Sequence, residues 1–260
     1  LVSPPAPDGS DVADPYPARD LLPLEHYYSH LTQRRHYTVL LTSRGCPFGC
    51  TFCAMARSKY HPRPVSDVVD EMQSCIDGLD IHEFDFFDPL LLHDRGRVLD
   101  FCSEIRNRGL DMEWACRSRI DHVDEEILAA IRDAGCRRIY FGIESGDPDV
   151  LRRINKRVTL EQVHRAIEMT RHHDIHPLGF FQIGSPGETR RTARRTIRFA
   201  LDLPLDYAQF MRTIAKPGSS LEKAVIRVTG RDHWREYVTG RRDDSRLPTP
   251  WTRLEPRTVD

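Results

Sequence analysis

The stretch "YTVLLTSRGCPFGCTFC", residues 37–53, decides the reading of the fold. It opens as an apolar, β-branched run of the kind found in buried strands. It ends in a loop that gathers cysteines at 46, 50 and 53 with two glycines and a proline. Strand-like runs recur at 83–88, 111–116, 137–144, 176–183 and 206–213. Amphipathic, helix-like segments lie between them at about 66–77, 95–108, 124–134, 160–173 and 188–201. Strand–helix alternation implies parallel strands joined by right-handed crossovers. Six such units predict an α/β fold, a partial (β/α)6 barrel, open because six units are too few for an ordinary eight-stranded closure. Chemistry in such folds gathers at the C-terminal ends of the strands. The three-cysteine loop directly follows the first strand and belongs at that mouth.

Local signals mark the helices. Ser66 and Asp124 stand where N-caps are wanted, and "TLEQ" (159–162) has the form of a capping box. Gly78, Gly109 and Gly135 each follow a helix-like segment, where a left-handed residue closes the last turn. Residues 1–36 are rich in Pro and Asp and read as a linker. A chain opening on such a segment, without Met, reads as a fragment. Residues 37–214 form the core barrel. Residues 215–260 lose the alternation and read as a post-barrel extension, a helix or two and an irregular, charged tail.

Composition narrows the class. The chain has 260 residues, 39% of them hydrophobic, and a net charge of −1. No apolar run is long enough to span a membrane, and the N-terminus lacks the basic and apolar regions of a signal peptide. The near-neutral balance gives no global argument for a nucleic-acid partner, which is not expected. The local exception, "RRTARRTIR" (190–198), carries five arginines and reads as a solvated helix face, with an RNA-binding patch as the alternative. Seven cysteines, three of them clustered, do not make a secreted disulfide framework and fit a reducing cytoplasm. Cys75, Cys102, Cys116 and Cys136 fall inside regular segments and read as small buried apolar residues.

Thiolates bind iron–sulfur clusters, zinc and copper, so the clustered thiols read as a candidate metal site, the alternative being a chance grouping. A structural zinc would want four ligands, usually in two pairs; no second pair is present, and His61 is the available complement. Three thiolates on a four-iron cluster would leave one iron open to a further ligand. Gly45 and Gly49 would let the loop bend around such a cluster.

"CPFGCTFC", with its CxxxCxxC spacing and an aromatic before the last Cys, resembles the signature of the radical S-adenosylmethionine (SAM) superfamily. The resemblance implies that Cys46, Cys50 and Cys53 hold a 4Fe–4S cluster and that SAM chelates the open iron. It implies reductive cleavage of SAM to a 5′-deoxyadenosyl radical that takes hydrogen from a substrate. "FGIESGDPDVL" (141–151) resembles the family's fourth-strand segment, which places Glu144 and Ser145 near the ribose and polar end of SAM. A mouth carboxylate of that kind should contribute little to the core. "GFFQIGSPGET" (179–189) resembles the fifth-strand turn, with Gly184 close to adenine and Gln182 at an inward, edge or bulge position. Ser185 departs from the apolar residue usual there. Phe52, Asp88 and Arg119 match further positions near the cofactor, Arg119 facing the SAM carboxylate. Pro89 replaces a second acid common after Asp88.

"PYPARDLLPLEHY" (15–27) and "DHWREYVTGR" (232–241) further resemble the cobalamin-binding-domain subgroup, which includes the anaerobic magnesium-protoporphyrin ester cyclases and hopanoid-modifying methylases. That implies a cobalamin domain outside this chain, ahead of the linker. It implies C-methylation or oxidative cyclisation of a small-molecule, lipid or tetrapyrrole substrate, with a reductant such as flavodoxin or ferredoxin. The alternatives are a tRNA methylthiotransferase-like enzyme and a metal-binding module without turnover. "DIHPLG" (174–179) fits a cobalt-ligating pattern, but it falls between a helix and the fifth strand, so His176 is not expected to bind cobalamin.

Overall fold

The computed structural model describes residues 15–34, 36–241 and 249–254. Within them, a six-stranded sheet is built from β1 (Tyr37–Leu40), β4 (Glu83–Phe86), β5 (Glu113–Ser118), β6 (Cys136–Glu144), β7 (His176–Ile183) and β8 (Tyr207–Arg212). The strands are all parallel and paired in that spatial order, so β1 and β8 are the two edges. The short strands β2 (Ser43–Arg44) and β3 (His61–Pro62) pair antiparallel and bracket the cysteine loop. The crossovers are α1 (Val65–Leu79), α2 (Arg95–Arg108), α3 (Glu125–Asp133), α4 (Pro148–Arg153) with α5 (Leu160–His172), and α6 (Arg190–Asp202). The extension supplies α7 (Ser220–Thr229) and α8 (His233–Val238). This is the expected open barrel.

Alternation along the strands separates two faces. Leu40, Phe84, Phe86, Trp114, Cys116, Ile139, Phe141 and Phe181 point to the helices and join Val68, Met72, Phe101, Cys102 and Leu128 in one core. Val39, Asp85, Ala115, Arg117, Arg138, Tyr140, Leu178, Phe180 and Gln182 occupy the opposite face, the concave side of the sheet. Cys75, Cys102, Cys116 and Cys136 are buried as expected, and burial pushes the Cys102 thiol up to about 12.

Most local signals act as read. Asp124 caps α3 through Ile127 N–H, and Thr159 and Gln162 form the capping box of α5. Gly109, at φ +63, closes α2. Two readings are corrected. The N-cap position of α1 is Pro64, so Ser66 lies inside the first turn. Gly78 also lies inside α1, and the left-handed residue that ends it is Asp80, at φ +53. A polar side chain supplies what the glycine was expected to supply.

The described part of the segment read as a linker is docked. Arg19 is 5% exposed, pairs with Glu71 of α1 at 2.7 Å, and donates to Thr38 Oγ1 and the Val39 carbonyl along the β1 edge. Leu31 packs on Ala115, Tyr140 and Leu178, and the Gln33 and Arg34 amides donate to Glu83 at 2.8 and 2.6 Å. These contacts close the N-terminal end of the concave face. Residues 1–14 lie outside the described residues. Among the described residues no helix is long and apolar enough to cross a membrane.

Candidate active site

The cysteine loop is held from both sides. The chain leaves β2 through Gly45 at φ +86, where a Cβ would lie 1.8 Å from the Lys59 carbonyl oxygen. Only glycine fits that approach. Cys46 N–H donates to Ser58 Oγ at 2.9 Å, Arg57 N–H to the Phe48 carbonyl at 2.8 Å, and Ala56 N–H to the Cys53 carbonyl at 3.3 Å. On the far side Asn155 Nδ2 donates to the Gly49 carbonyl at 2.8 Å and Thr51 N–H to the Ile154 carbonyl at 3.0 Å. The Thr51 carbonyl in turn accepts from Leu221 N–H of α7 at 2.9 Å. The loop is therefore tied to the β6–α5 crossover and to the extension.

Cys50 is buried, and Cys46 and Cys53 are half-buried. Burial raises all three thiols above their ordinary range. The positive charges of Arg119 and Lys156 oppose this at Cys46 and Cys50, and the Phe48 and Met55 amides oppose it at Cys46 and Cys53. Among the described residues no three Cys, His, Asp or Glu side chains converge closely enough to hold a single metal ion. His61, the complement considered for zinc, is exposed in β3. Three soft thiolates spread along one clamped loop suit a multi-iron cluster, whose ligands attach at separate corners.

Glu144 stands at the C-terminal end of β6 in left-handed backbone, φ +73, beside a register shift between β6 and β7. A non-glycine residue is uncommon there. Its Oε1 accepts from Lys156 Nζ at 3.0 Å and its Oε2 from Gln182 Nε2 at 2.7 Å. All three side chains are buried. Gly142 makes room for the pair: a Cβ there would lie 2.6 Å from Glu144 Oε1 and 2.8 Å from Lys156 Nζ. The expectation that Glu144 contributes little to the core is corrected, because it is the counter-ion of a buried lysine. Gln182 faces inward, which settles its three open positions.

Lys156 is the site residue that the sequence reading missed. It lies between Asn155 and Arg157, both at positive φ, in a turn the local sequence does not announce. Its carbonyl accepts from Arg119 Nη2 at 3.0 Å. Arg119 is otherwise forked onto Asp121, with both bonds at 2.8 Å, and its guanidinium lies 4.0 Å from the centre of the Phe48 ring. Thus Arg119, Lys156, Glu144 and Gln182 converge beside the cysteines, joined by backbone and side-chain bonds.

Other expected residues have different partners. Asp88 is fully buried; its carboxylate accepts from Thr42 N–H at 2.9 Å, Thr42 Oγ1 at 2.8 Å and Ser43 Oγ at 2.5 Å. It fixes the chain leaving β1 toward the cysteines. Ser145 is also fully buried; its Oγ lies 3.0 Å from Thr196 Oγ1 of α6 and accepts from Asp147 N–H at 3.1 Å, so it orders the turn into α4. Phe52 packs against Leu151, Ile154 and Val158 on one side and Ala215, Leu221 and Val225 on the other. Gly184 N–H and Ser185 N–H both donate to the buried Glu188 carboxylate. Trp251 reaches the same turn from the extension, donating from Nε1 to the Gly184 carbonyl at 2.9 Å and accepting Gly187 N–H at 2.7 Å. His176 lies at the opposite end of β7, 3.2 Å from Asp206 Oδ2.

Comparison with known proteins identifies the family of the chain. Residues 40–200 match the Radical SAM superfamily. An uncharacterized methyltransferase of Pyrococcus horikoshii is 34% identical over 86% of this chain and half of its own length. An anaerobic magnesium-protoporphyrin IX monomethyl ester cyclase of Rubrivivax gelatinosus is 30% identical over 83% of this chain and 41% of its own length. The chain thus spans about half the length, or less, of these curated relatives. Among solved structures, the radical SAM methyltransferase TsrM from Kitasatospora setae, with cobalamin and a 4Fe–4S cluster bound, superposes with a TM-score of 0.66. Its identity is 22%, over 72% of this chain and 36% of that one, which shows a shared fold. By the extent of the family match and by these relatives, the chain belongs to the radical SAM superfamily.

Proposed function

We propose that the chain is the catalytic core of a radical SAM enzyme that carries out C-methylation or oxidative cyclisation. The observation that carries this is the clamped three-thiol loop at the C-terminal end of the sheet, facing the Glu144–Lys156–Gln182 cluster. Members of the family use a 4Fe–4S cluster and SAM. Cys46, Cys50 and Cys53 would hold the cluster. When bound and reduced, this pair supplies one electron that breaks a sulfonium C–S bond, releasing methionine and a carbon radical able to take a hydrogen atom from a substrate.

The protein's own residues position and insulate. Lys156 and Arg119 place positive charge beside the loop, favouring thiolates and a carboxylate ligand. Glu144 offers acceptors for paired hydroxyl donors, and Gln182 orients it. The Gly184 turn, locked by Glu188 and Trp251, would present backbone to an adenine. Asp88, Ser145 and Phe52 act one step back: Asp88 and Phe52 fix the loop, and Ser145 fixes the turn after Glu144. The partners of this reading are a one-electron reductant such as flavodoxin or ferredoxin, a small-molecule substrate, and a cobalamin domain in sequence outside this chain. The cobalamin bound in the TsrM structure, of which this chain covers 36%, supports that last element.

Anaerobic reconstitution with iron and sulfide tests the core claim. About four irons per chain should be taken up, and the reduced protein should convert SAM to methionine and 5′-deoxyadenosine. Cys46→Ala, Cys50→Ala and Cys53→Ala should each abolish the cleavage, while Cys102→Ala should leave the iron content unchanged. Wild-type protein that takes up zinc but no iron overturns the reading.

A further inference from the structure

The concave face of the sheet carries a recognition surface that the cluster chemistry does not use. Its centre is Arg117 of β5. Nη1 donates to Asp85 Oδ1 at 2.5 Å and to the Phe86 carbonyl at 2.8 Å, and Nη2 reaches Asp85 Oδ2 at 3.3 Å. The guanidinium is sandwiched between two rings, 3.6 Å from the centroid of Phe87 and 4.8 Å from that of Tyr140. Tyr140 stacks in turn on Phe180, with centroids 5.5 Å apart and planes 20° apart. Asp85 is opposite Val39 of β1 and Phe87 N–H donates to the Leu40 carbonyl at 2.9 Å, so Val39 and Phe87 lie at one end of this stack, with Leu41 next in the chain after β1.

The rings and the charges are arranged for a ligand. Phe87 is 48% exposed, Leu41 40% and Val39 39%, an apolar patch next to a fixed cation. The carboxylates nearby are already engaged with cationic or amide donors. Both Asp85 oxygens bond Arg117, and Glu83 beneath accepts from Arg138 and from the Gln33 and Arg34 amides. Arg117 keeps donor capacity: a guanidinium carries five N–H groups, and its three bonds leave Nε and part of Nη2 without an acceptor among the described residues. Asp85 neutralises one face of the guanidinium, and the remaining N–H groups are the cationic donors the patch offers a ligand. An oxyanion meets these donors with charge-assisted bonds, stronger than those a neutral hydroxyl oxygen accepts.

We propose that this face binds the substrate, and that the substrate has a planar, apolar body lying against Phe87, Val39 and Leu41 and an anionic oxygen meeting Arg117. The assignment of this ligand as substrate rests on the radical SAM reading. The existence of the binding surface rests on the stack itself. Asp85 holds the guanidinium in plane, Tyr140 and Phe180 back it, and the exposed face of Phe87 takes the ligand's ring.

The probe is 1-naphthoate, with 1-naphthalenemethanol as its uncharged counterpart, titrated calorimetrically into the iron-free chain. Naphthoate should bind in the millimolar range or tighter and the alcohol at least tenfold more weakly. Phe87→Ala and Arg117→Lys should each weaken naphthoate about tenfold, and Phe87→Tyr should retain it. The Arg117→Lys variant keeps a cation for Asp85, and far-ultraviolet circular dichroism checks that both variants fold. Absence of millimolar binding, equal binding of the alcohol, or indifference to both substitutions overturns the proposal. So does displacement of naphthoate by SAM with the same loss of SAM affinity in Phe87→Ala, because the stack then belongs to the cofactor. A dimer that Phe87→Ala dissociates with naphthoate binding unchanged would make the patch an interface instead. Iron uptake is read separately, so the cluster reading and this surface can fail independently.

Discussion

Phe86 and Phe87 are neighbours in the chain and opposites in the fold. Phe86 is fully buried on the helix side of the sheet, edge-on to Phe101 at 5.6 Å and to Trp114 at 5.5 Å. Phe87 is half-exposed on the concave side over Arg117. The same contrast holds for whole faces. The helix side is an apolar core that α1, α2, α3 and α5 close. The concave side mixes aromatic rings with the Asp85–Arg117, Glu83–Arg138 and Glu144–Lys156 pairs. Stability is concentrated on one face of each strand, which leaves the other free to carry groups chosen for chemistry.

Adjacent substitutions break this comparison most directly. Phe86→Ala should destabilise the fold by about 3–5 kcal/mol, the cost of emptying a packed aromatic site. Phe87→Ala should cost about 1 kcal/mol or less, since it loses one cation–π contact at a half-exposed position. Chemical denaturation of the two variants measures both, and equal losses would erase the distinction between faces. Glu144 sharpens the boundary between them. Glu144→Ala leaves Lys156 buried without its counter-ion and should cost about 3 kcal/mol, besides weakening SAM binding. Adding Lys156→Met should return much of that stability without restoring SAM affinity. If the double variant is no more stable than the single, the pair is not what holds this end of the sheet. The smallest effect lies away from both faces. Gly109→Ala should cost about 1 kcal/mol, because alanine at φ +63 is strained although no atom obstructs it.

The regular elements were legible because periodicity and caps are local. α2 and β7 fall at the residues expected, and the other crossovers shift by a few residues at their ends. α4 lies outside the helix-like segments expected, although Asp147 at its N-cap and Pro148 at its first position form a helix-start signal. The site was legible in part. Cysteine spacing survives in sequence, and Gln182 stood out as a polar residue in an apolar strand. Asp88, Ser145 and Phe52 were expected at the cofactor, but their partners come from other segments, which local sequence does not display. Lys156 hides for the same reason: its burial depends on Gly142 lacking a side chain, fourteen positions earlier.

The left-handed backbone at residue 144 limits what selection can try there. Glycine, asparagine and aspartate tolerate that conformation best, and β-branched or bulky residues strain it. Glycine loses the carboxylate, asparagine loses the charge, and aspartate is too short by one methylene to span Lys156 and Gln182 together. A saturation library at this codon should therefore yield few functional clones. Recovering other residues would require the bulge between β6 and β7 to change as well. Diversification of this protein toward new substrates is then expected to proceed through positions in ordinary backbone, such as 39, 41 and 87, while 144 stays fixed by geometry and chemistry at once.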